Sequence, residues 1–331
     1  MVEQGTHKPL AGGSNPPSAT TPPRAELASL VARGADSLSI PSGAEFVLAV
    51  SGGPDSMALL HGAGAAARWR LTVAHLDHAL RPGSADDAAF VAGAAASLGL
   101  PFETRRTDVA TLARDEGRSI EEAAREARYR FLEDVAPDGA LIATAHTADD
   151  AAETVLLNLL RGSGLAGVRG IPQRRGRIVR PLLDERRATL RELLEAAGIG
   201  YRIDPSNEDP AFLRNRVRHE VIPLLESIRP GAAERIGRFS RLAADDEALL
   251  EDLARAELAT RTTEDGLDWH DPPLPALGRR VLRMAVGYPA PSAERIEALL
   301  EAATGARGGV TIELGGGRVA SVSQRRVRIL T

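Results

Sequence analysis

Four short runs, Glu45–Val50, Leu71–Leu76, Phe102–Arg105 and Ala140–Ala145, alternate with longer segments whose apolar residues recur three and four positions apart. Runs of four to six residues predict strands, and the 3.6-residue period predicts helices over Pro54–Ala67, Ser84–Leu98, Ser119–Val135 and Thr147–Leu160. The third helix opens on Ser119-Ile-Glu-Glu122, the pattern of a capping box. Strand and helix alternating at this spacing predict an α/β fold with a doubly wound, mainly parallel sheet. Ligands of such sheets bind at the carboxyl ends of the strands. Past Arg161 the pattern gives a short run at Ile178–Leu183, a helix near Ala188–Ala197 and a short strand at Tyr201–Asp204. Helical periodicity from Arg214–Ser227 to about Thr260, then over Ala276–Val286 and Ala293–Ala303, leads to a β-rich end. Its strands, Val310–Leu314, Arg318–Val322 and Arg326–Leu330, are separated by Gly315–Gly317 and a polar turn. The expected division is a tail over residues 1–24, a catalytic domain over 25–228, and a smaller helical domain over 229–331 ending in short strands.

Composition narrows the class. Residues Met1–Pro23 are rich in Pro, Gly, Ser and Thr without an apolar core, which predicts a disordered tail rather than a signal peptide. No run reaches the 18 or so uncharged apolar residues of a membrane span, so a cytoplasmic protein is expected. The sequence has no cysteine, which excludes disulfides, thiolate metal sites and persulfide chemistry. Lys8 is the only lysine, so the lysine of a Walker-type phosphate loop is missing. The net charge of −4 does not announce a nucleic-acid binder, yet Arg161–Arg191 holds nine arginines against Asp184 and Glu185. Arg214–Arg241 holds seven against Glu220, Glu226 and Glu234. Such arginines suit phosphate backbones, or else decorate solvated faces.

Ser51-Gly-Gly-Pro-Asp-Ser56 lies where the first strand turns into the first periodic helix. Amides of a first helical turn lack internal partners, and the helix dipole favours an anion there. Gly52 and Gly53 permit a tight turn, Pro54 suits the first helical position, and Ser51 and Ser56 add hydroxyls. Asp55 adds a carboxylate suited to Mg²⁺. At the end of the fourth strand, His146-Thr-Ala-Asp-Asp150 and Glu153 place Asp149, Asp150 and Glu153 on adjoining helix positions. Three carboxylates clustered at that edge call for a cation, or simply stabilise a helix N-terminus. His75-Leu-Asp-His-Ala-Leu-Arg81 follows the second strand and reads as a polar loop packing a nucleotide, with metal ligation as the alternative. Arg125 and Arg128 in Glu121–Tyr129 are equally placed to clamp phosphate or to pair with Glu121 and Glu122. Gly162-Ser-Gly-Leu-Ala-Gly167 fits a dinucleotide pattern but follows a helix, and Gly62-Ala-Gly64 lies within or at the end of one, so neither predicts a cofactor site.

Together these stretches resemble the tRNA(Ile)-lysidine synthetase family of the PP-loop ATP pyrophosphatase superfamily. The resemblance rests on SGGPDS at 51–56, HLDHALR at 75–81, EEAAREARY at 121–129 and TAHTADDAAETVLLNLLRGSGLAG at 144–167. It extends through VRPLL at 179–183, DPSNEDPAFLRNRVRHEVIPLL at 204–225 and the Gly-rich β ending from 308. It implies an adenine nucleotide alpha-hydrolase-like fold. It also implies ATP-dependent adenylation of the wobble cytidine of a CAU-anticodon tRNA(Ile), then attack by L-lysine with release of AMP. By the same resemblance Ser51, Gly52, Gly53, Pro54, Asp55 and Ser56 hold ATP, and Asp55 and Asp150 position Mg²⁺. Arg125 or Arg128 contacts the α-phosphate or the activated base, and His146 orients or deprotonates the amine. Asp149 and Glu153 meet the lysine amine or support the metal, and residues beyond about 230 discriminate the tRNA. Rival readings are a tRNA thiolase, disfavoured by the missing cysteines, an amide-forming synthetase, and a non-catalytic tRNA or nucleotide binder, disfavoured by the acidic cluster.

Overall fold

A computed structural model of the chain describes residues 22–81, 83–204, 209, 212–305 and 309–330. The expected tail lies outside the described residues as far as 21, and its last two positions, Pro23 and Arg24, open a helix instead. In chain order the elements are α1 (Pro23–Ser37), β1 (Glu45–Ala49), α2 (Pro54–Ala66), β2 (Arg70–Asp77), α3 (Ser84–Ser97), β3 (Phe102–Arg106), α4 (Val109–Glu116), α5 (Ile120–Val135) and β4 (Leu141–Ala143). There follow α6 (Ala148–Leu160), α7 (Leu165–Val168), β5 (Arg174–Arg175), β6 (Ile178–Val179), α8 (Arg187–Ala196) and α9 (Leu213–Arg216). A π-helical turn, Val217–Val221, leads to α10 (Ile222–Ile228), α11 (Ala232–Arg261), β7 (Thr262–Thr263), β8 (Gly266–Asp268), α12 (Pro275–Val286), α13 (Ala293–Thr304), β9 (Val310–Gly315), β10 (Arg318–Ser323) and β11 (Arg326–Leu330).

The described chain divides into two compact units. One holds the residues up to Glu153 with Ile171–Glu234; the other holds Thr154–Gly170 with the residues from Arg235 onward. The first is built on a six-stranded sheet of order β3-β2-β1-β4-β6-β5, parallel except for the edge strand β5. The chain runs outward from β1 through β2 to β3, then returns to place β4 on the other side of β1. That reversal makes the carboxyl ends of β1 and β4 the switch point where such sheets bind ligands.

The period-2 alternation of β1 decides which helices lie where. Phe46 and Leu48 point into one core with Leu27, Leu30 and Val31 of α1, Met57, Leu59 and Leu60 of α2, and Leu190 and Leu194 of α8. Val47 points the other way, to Ala74, Leu76 and Ile142 of the neighbouring strands and Phe131 and Leu132 of α5. A sheet buried on both faces is what a parallel arrangement requires. The capping box expected at Ser119 is present: the Ser119 hydroxyl accepts the Glu122 N–H, and the Glu122 carboxylate accepts the Ser119 N–H.

In the second unit a five-stranded antiparallel sheet, β7-β8-β11-β10-β9, packs with α12 and α13 around Trp269, which is fully buried with Val281, Leu282, Leu299 and Leu314. The three expected C-terminal strands are therefore joined by two short ones. Tyr201–Asp204 is not a strand. Its Arg202 N–H is spent on the Gly52 carbonyl at 2.8 Å, so the segment braces the first loop rather than extending the sheet.

Candidate active site

Ser51–Ser56 leaves β1 and enters α2 as the sequence predicts. Gly52 has φ of +88°, a conformation costly for any residue with a side chain, and Gly53 is the N-cap with Pro54 at the first helical position. The Ser56 hydroxyl accepts the Ser51 N–H at 3.2 Å and donates to the Gly53 carbonyl at 2.9 Å, pinning the turn from inside. The first helical hydrogen bond is Met57 N–H to Gly53 C=O, so the amides of Asp55 and Ser56 have no intrahelical acceptor. Ser51 is exposed at the mouth of this nest.

α6 starts beside it, at the end of β4. The Thr147 N–H and hydroxyl each reach one Asp150 carboxylate oxygen at 2.9 Å, which winds the first turn. That places Asp149, Asp150 and Glu153, all buried, at the edge where the loop lies. The group that joins them is Arg187, at the start of α8. Its guanidinium meets Asp55 at 3.0 Å, Asp150 at 2.9 Å and Glu153 at 3.2 Å, while its backbone N–H donates to Asp149 at 2.8 Å. Arg186 pairs with Asp149 at 3.2 Å and with Glu226 at 3.1 Å. Glu153, with no exposure at all, also takes Arg214 at 2.9 Å and Arg218 at 2.7 Å. Four carboxylates thus meet four arginines: the acidic cluster was legible in the sequence, but its arginine partners, inside two stretches read as RNA contacts, were not.

The environments differ in a way that sorts the carboxylates. Burial drives the Asp150 pKa upward, but Arg187, His146, Arg214 and the Thr147 amide outweigh it and bring it down to about 2. Burial wins at Asp55, whose pKa is raised despite Arg187, with Asp150 adding to the rise. One Asp55 oxygen is buried with no hydrogen-bond partner among the described residues. A buried carboxylate with an unused oxygen beside unpaired loop amides fits a hard cation bridging to phosphate, since Mg²⁺ is held by one or two carboxylates plus phosphate oxygens. Asp150 fits less directly. One of its oxygens is committed to Thr147 and the other to Arg187 and Arg214. Among the described residues no group of three His, Asp or Glu is arranged as a metal cage.

His146 bonds the Thr144 hydroxyl through Nδ1 at 2.9 Å. Burial, reinforced by Arg180, Arg128 and Arg214 against the opposing Asp150, lowers its pKa to about 3, so its imidazole is neutral at pH 7. Arg125 and Arg128 stand over Tyr129, 5.0 and 5.3 Å from the ring centroid. Among the described residues neither forms an ion pair with Glu121 or Glu122. In the second-strand loop His75 Nδ1 contacts the Val50 carbonyl at 2.8 Å and Asp77 accepts the Ala79 N–H, so both shape the loop. Of the glycines read as decoys, Gly162 follows the end of α6 at φ +72°, and Gly62 lies against α1.

Sheet order, serine-glycine loop and facing carboxylates define a PP-loop nucleotide-binding fold. The PP-loop domain profile matches residues 25–225. A tRNA(Ile)-lysidine synthase of Salinispora tropica is 41% identical over 260 residues, covering 73% of this chain and 76% of that protein. The chain belongs to the tRNA(Ile)-lysidine synthase family. Namesakes from Thermus thermophilus and Geobacter sulfurreducens are 50% and 45% identical over 56% and 60% of this chain. The matched part spans only 37% and 44% of those two relatives. A U34-tRNA thiolase from Methanococcus maripaludis, solved with its [4Fe-4S] cluster, shares the fold at a TM-score of 0.54 and 17% identity, covering 66% of this chain and 78% of that one.

Proposed function

We propose that this chain ligates L-lysine to C2 of the wobble cytidine of a CAU-anticodon tRNA(Ile), using ATP and passing through an adenylated tRNA. The observation that carries the reading is the apposition of the phosphate loop and the Asp149–Glu153 cluster, bridged by Arg187, in a chain of this family. A ring carbonyl oxygen is a poor leaving group; joined to AMP it becomes a good one. The loop amides and the Ser51 and Ser56 hydroxyls hold the pyrophosphate end of ATP, where negative charge grows as the α-phosphate is attacked. Asp55, with Asp150 behind it, would hold Mg²⁺, which would neutralise charge on those phosphates.

Arg125 and Arg128 face the α-phosphate or the activated base. Asp149 and Glu153 receive the lysine ammonium by exchanging an arginine partner for it. His146, neutral at pH 7, accepts a hydrogen bond from the incoming amine and orients it. The wobble base must leave its stack to enter, which a single-stranded anticodon loop permits at low cost.

The test is labelled lysine incorporation into a CAU-anticodon tRNA(Ile) transcript with ATP and Mg²⁺, against the initiator methionine tRNA. Incorporation into the first alone is expected. Pyrophosphate release without lysine incorporation would overturn the choice of nucleophile while keeping the adenylation. Asp55→Asn is expected to abolish pyrophosphate release.

A further inference from the structure

We propose that Arg180, with Arg128 and Arg125 of α5, forms a second oxyanion pocket that takes one phosphate group, distinct from the loop at Ser51–Ser56. The inference deepens the proposed function and rests on it only for the source of the phosphate. Arg180 lies one residue past β6 and is 4% exposed. Its Nη1 donates to the Pro172 carbonyl at 2.6 Å, and its Nε is buried with no acceptor. The Arg128 Nε is buried without an acceptor as well.

The contrast with the acidic cluster carries the argument. Arg186, Arg187, Arg214 and Arg218 each hold at least one carboxylate. Arg125, Arg128 and Arg180 form no ion pair with a carboxylate among the described residues; Arg180 is buried, Arg128 half-buried and Arg125 exposed, so the cost falls on Arg180 first. A buried guanidinium without an anionic partner is expensive, and a phosphate would supply acceptors to several N–H groups at once.

The surroundings agree. Arg125 and Arg128 are held over the Tyr129 ring, which orients guanidinium groups without cancelling their charge. Burial opposes ionisation of the Tyr129 phenol, yet Arg128, Arg125 and Arg180 together bring its pKa below the usual tyrosine range. Val179 pairs with Ala143, so Arg180 comes level with the end of β4, where it and Arg128 depress His146. At the end of β2, burial followed by Arg128 brings His78 down to about 4.

One phosphate chemistry has two sources here, the α-phosphate of a nucleotide and a phosphodiester of the RNA. The site is tested first without either. Pyrophosphate affinity, which reports on the loop alone, is measured for the wild type and Arg180→Gln. Sulfate is then titrated at constant ionic strength over saturating pyrophosphate, following the melting temperature. The wild type should show a saturable rise and Arg180→Gln an apparent sulfate affinity about tenfold weaker or more, with pyrophosphate binding unchanged and Arg180→Lys recovering much of the loss. An equal sulfate response in both proteins overturns the pocket, and a lower melting temperature with an intact sulfate response assigns Arg180 a structural role only. If Arg180→Gln does not fold, Arg180→Met, which keeps the length of the stem, replaces it under the same criteria. For the source, a weaker affinity for AMP but not adenosine points to the α-phosphate. A salt slope for an anticodon stem-loop reduced by roughly one, with AMP unaffected, points to the RNA. No change in either also overturns the proposal.

Discussion

Arg187 is the residue on which most of the site's charge balance depends, and nothing about its sequence position marks it. Removing it would leave Asp55 without an ion-pair partner among the described residues, facing Asp150 and Glu153, which keep Arg214 and Arg218. Arg187→Ala should therefore lose about 3–5 kcal/mol of unfolding free energy in a urea titration, the usual cost of orphaning a buried charge. Because a divalent cation can take over part of that neutralisation, Mg²⁺ should raise the melting temperature of Arg187→Ala more than that of the wild type. Equal shifts would count against metal binding at Asp55. His146 carries a second prediction. Its pKa lies near 3, against 6.5 when unperturbed, so between those values the unfolded chain binds a proton that the folded one refuses. Stability must then fall as pH drops from about 6.5 towards 3, with His78 adding to the loss down to about 4. A His146→Asn protein should show a shallower decline in urea midpoint over that window, by up to one proton.

At the scale of elements, close approach between helices does what side-chain pattern alone does not reveal. α2 packs on α1 through Gly62, where an added Cβ would lie 2.7 Å from the Leu27 carbonyl oxygen and from Val31 Cγ2. Gly62→Ala should cost about 1–3 kcal/mol by overpacking, although alanine is the better helix former. A stability equal to wild type in urea would show that the two helices separate easily. The elements that were legible are those with strong local signals: the capping box of α5, the proline that opens α2, and the short apolar run of β1. α1 and α4 were missed. α1 follows a Pro-rich tail whose composition masked Leu27, Leu30 and Val31, and α4 is only eight residues long, although Asp108 caps it and Gly117 closes it. Tyr201–Asp204 misled because an apolar–polar alternation over four residues does not say whether a neighbouring strand has a free edge.

For the whole molecule, a net charge of −4 conceals arginines in quite different surroundings. Arg186, Arg187, Arg214 and Arg218 turn inward to carboxylates, whereas Arg174 and Arg175 on the edge strand β5 are exposed. If the exposed pair meets tRNA phosphates, the double change Arg174→Ala and Arg175→Ala should weaken tRNA binding and flatten its salt dependence by up to about two in log–log slope. Melting temperature should not move. An unchanged slope would place the RNA elsewhere.

The sequence by itself determined the class. Strand and helix periods, a glycine loop at the first strand end and an acidic turn at the fourth are all local patterns, and local patterns survive in one dimension. It also showed what chemistry was ruled out, through the missing cysteines and the single lysine. Only the tertiary structure decided how charge is balanced. Whether an arginine neutralises a buried carboxylate, stacks on Tyr129 or meets solvent depends on which segments the sheet order brings to the β1–β4 edge. Residues 55, 150, 187 and 214 are distant in sequence, and Coulomb interactions act through space.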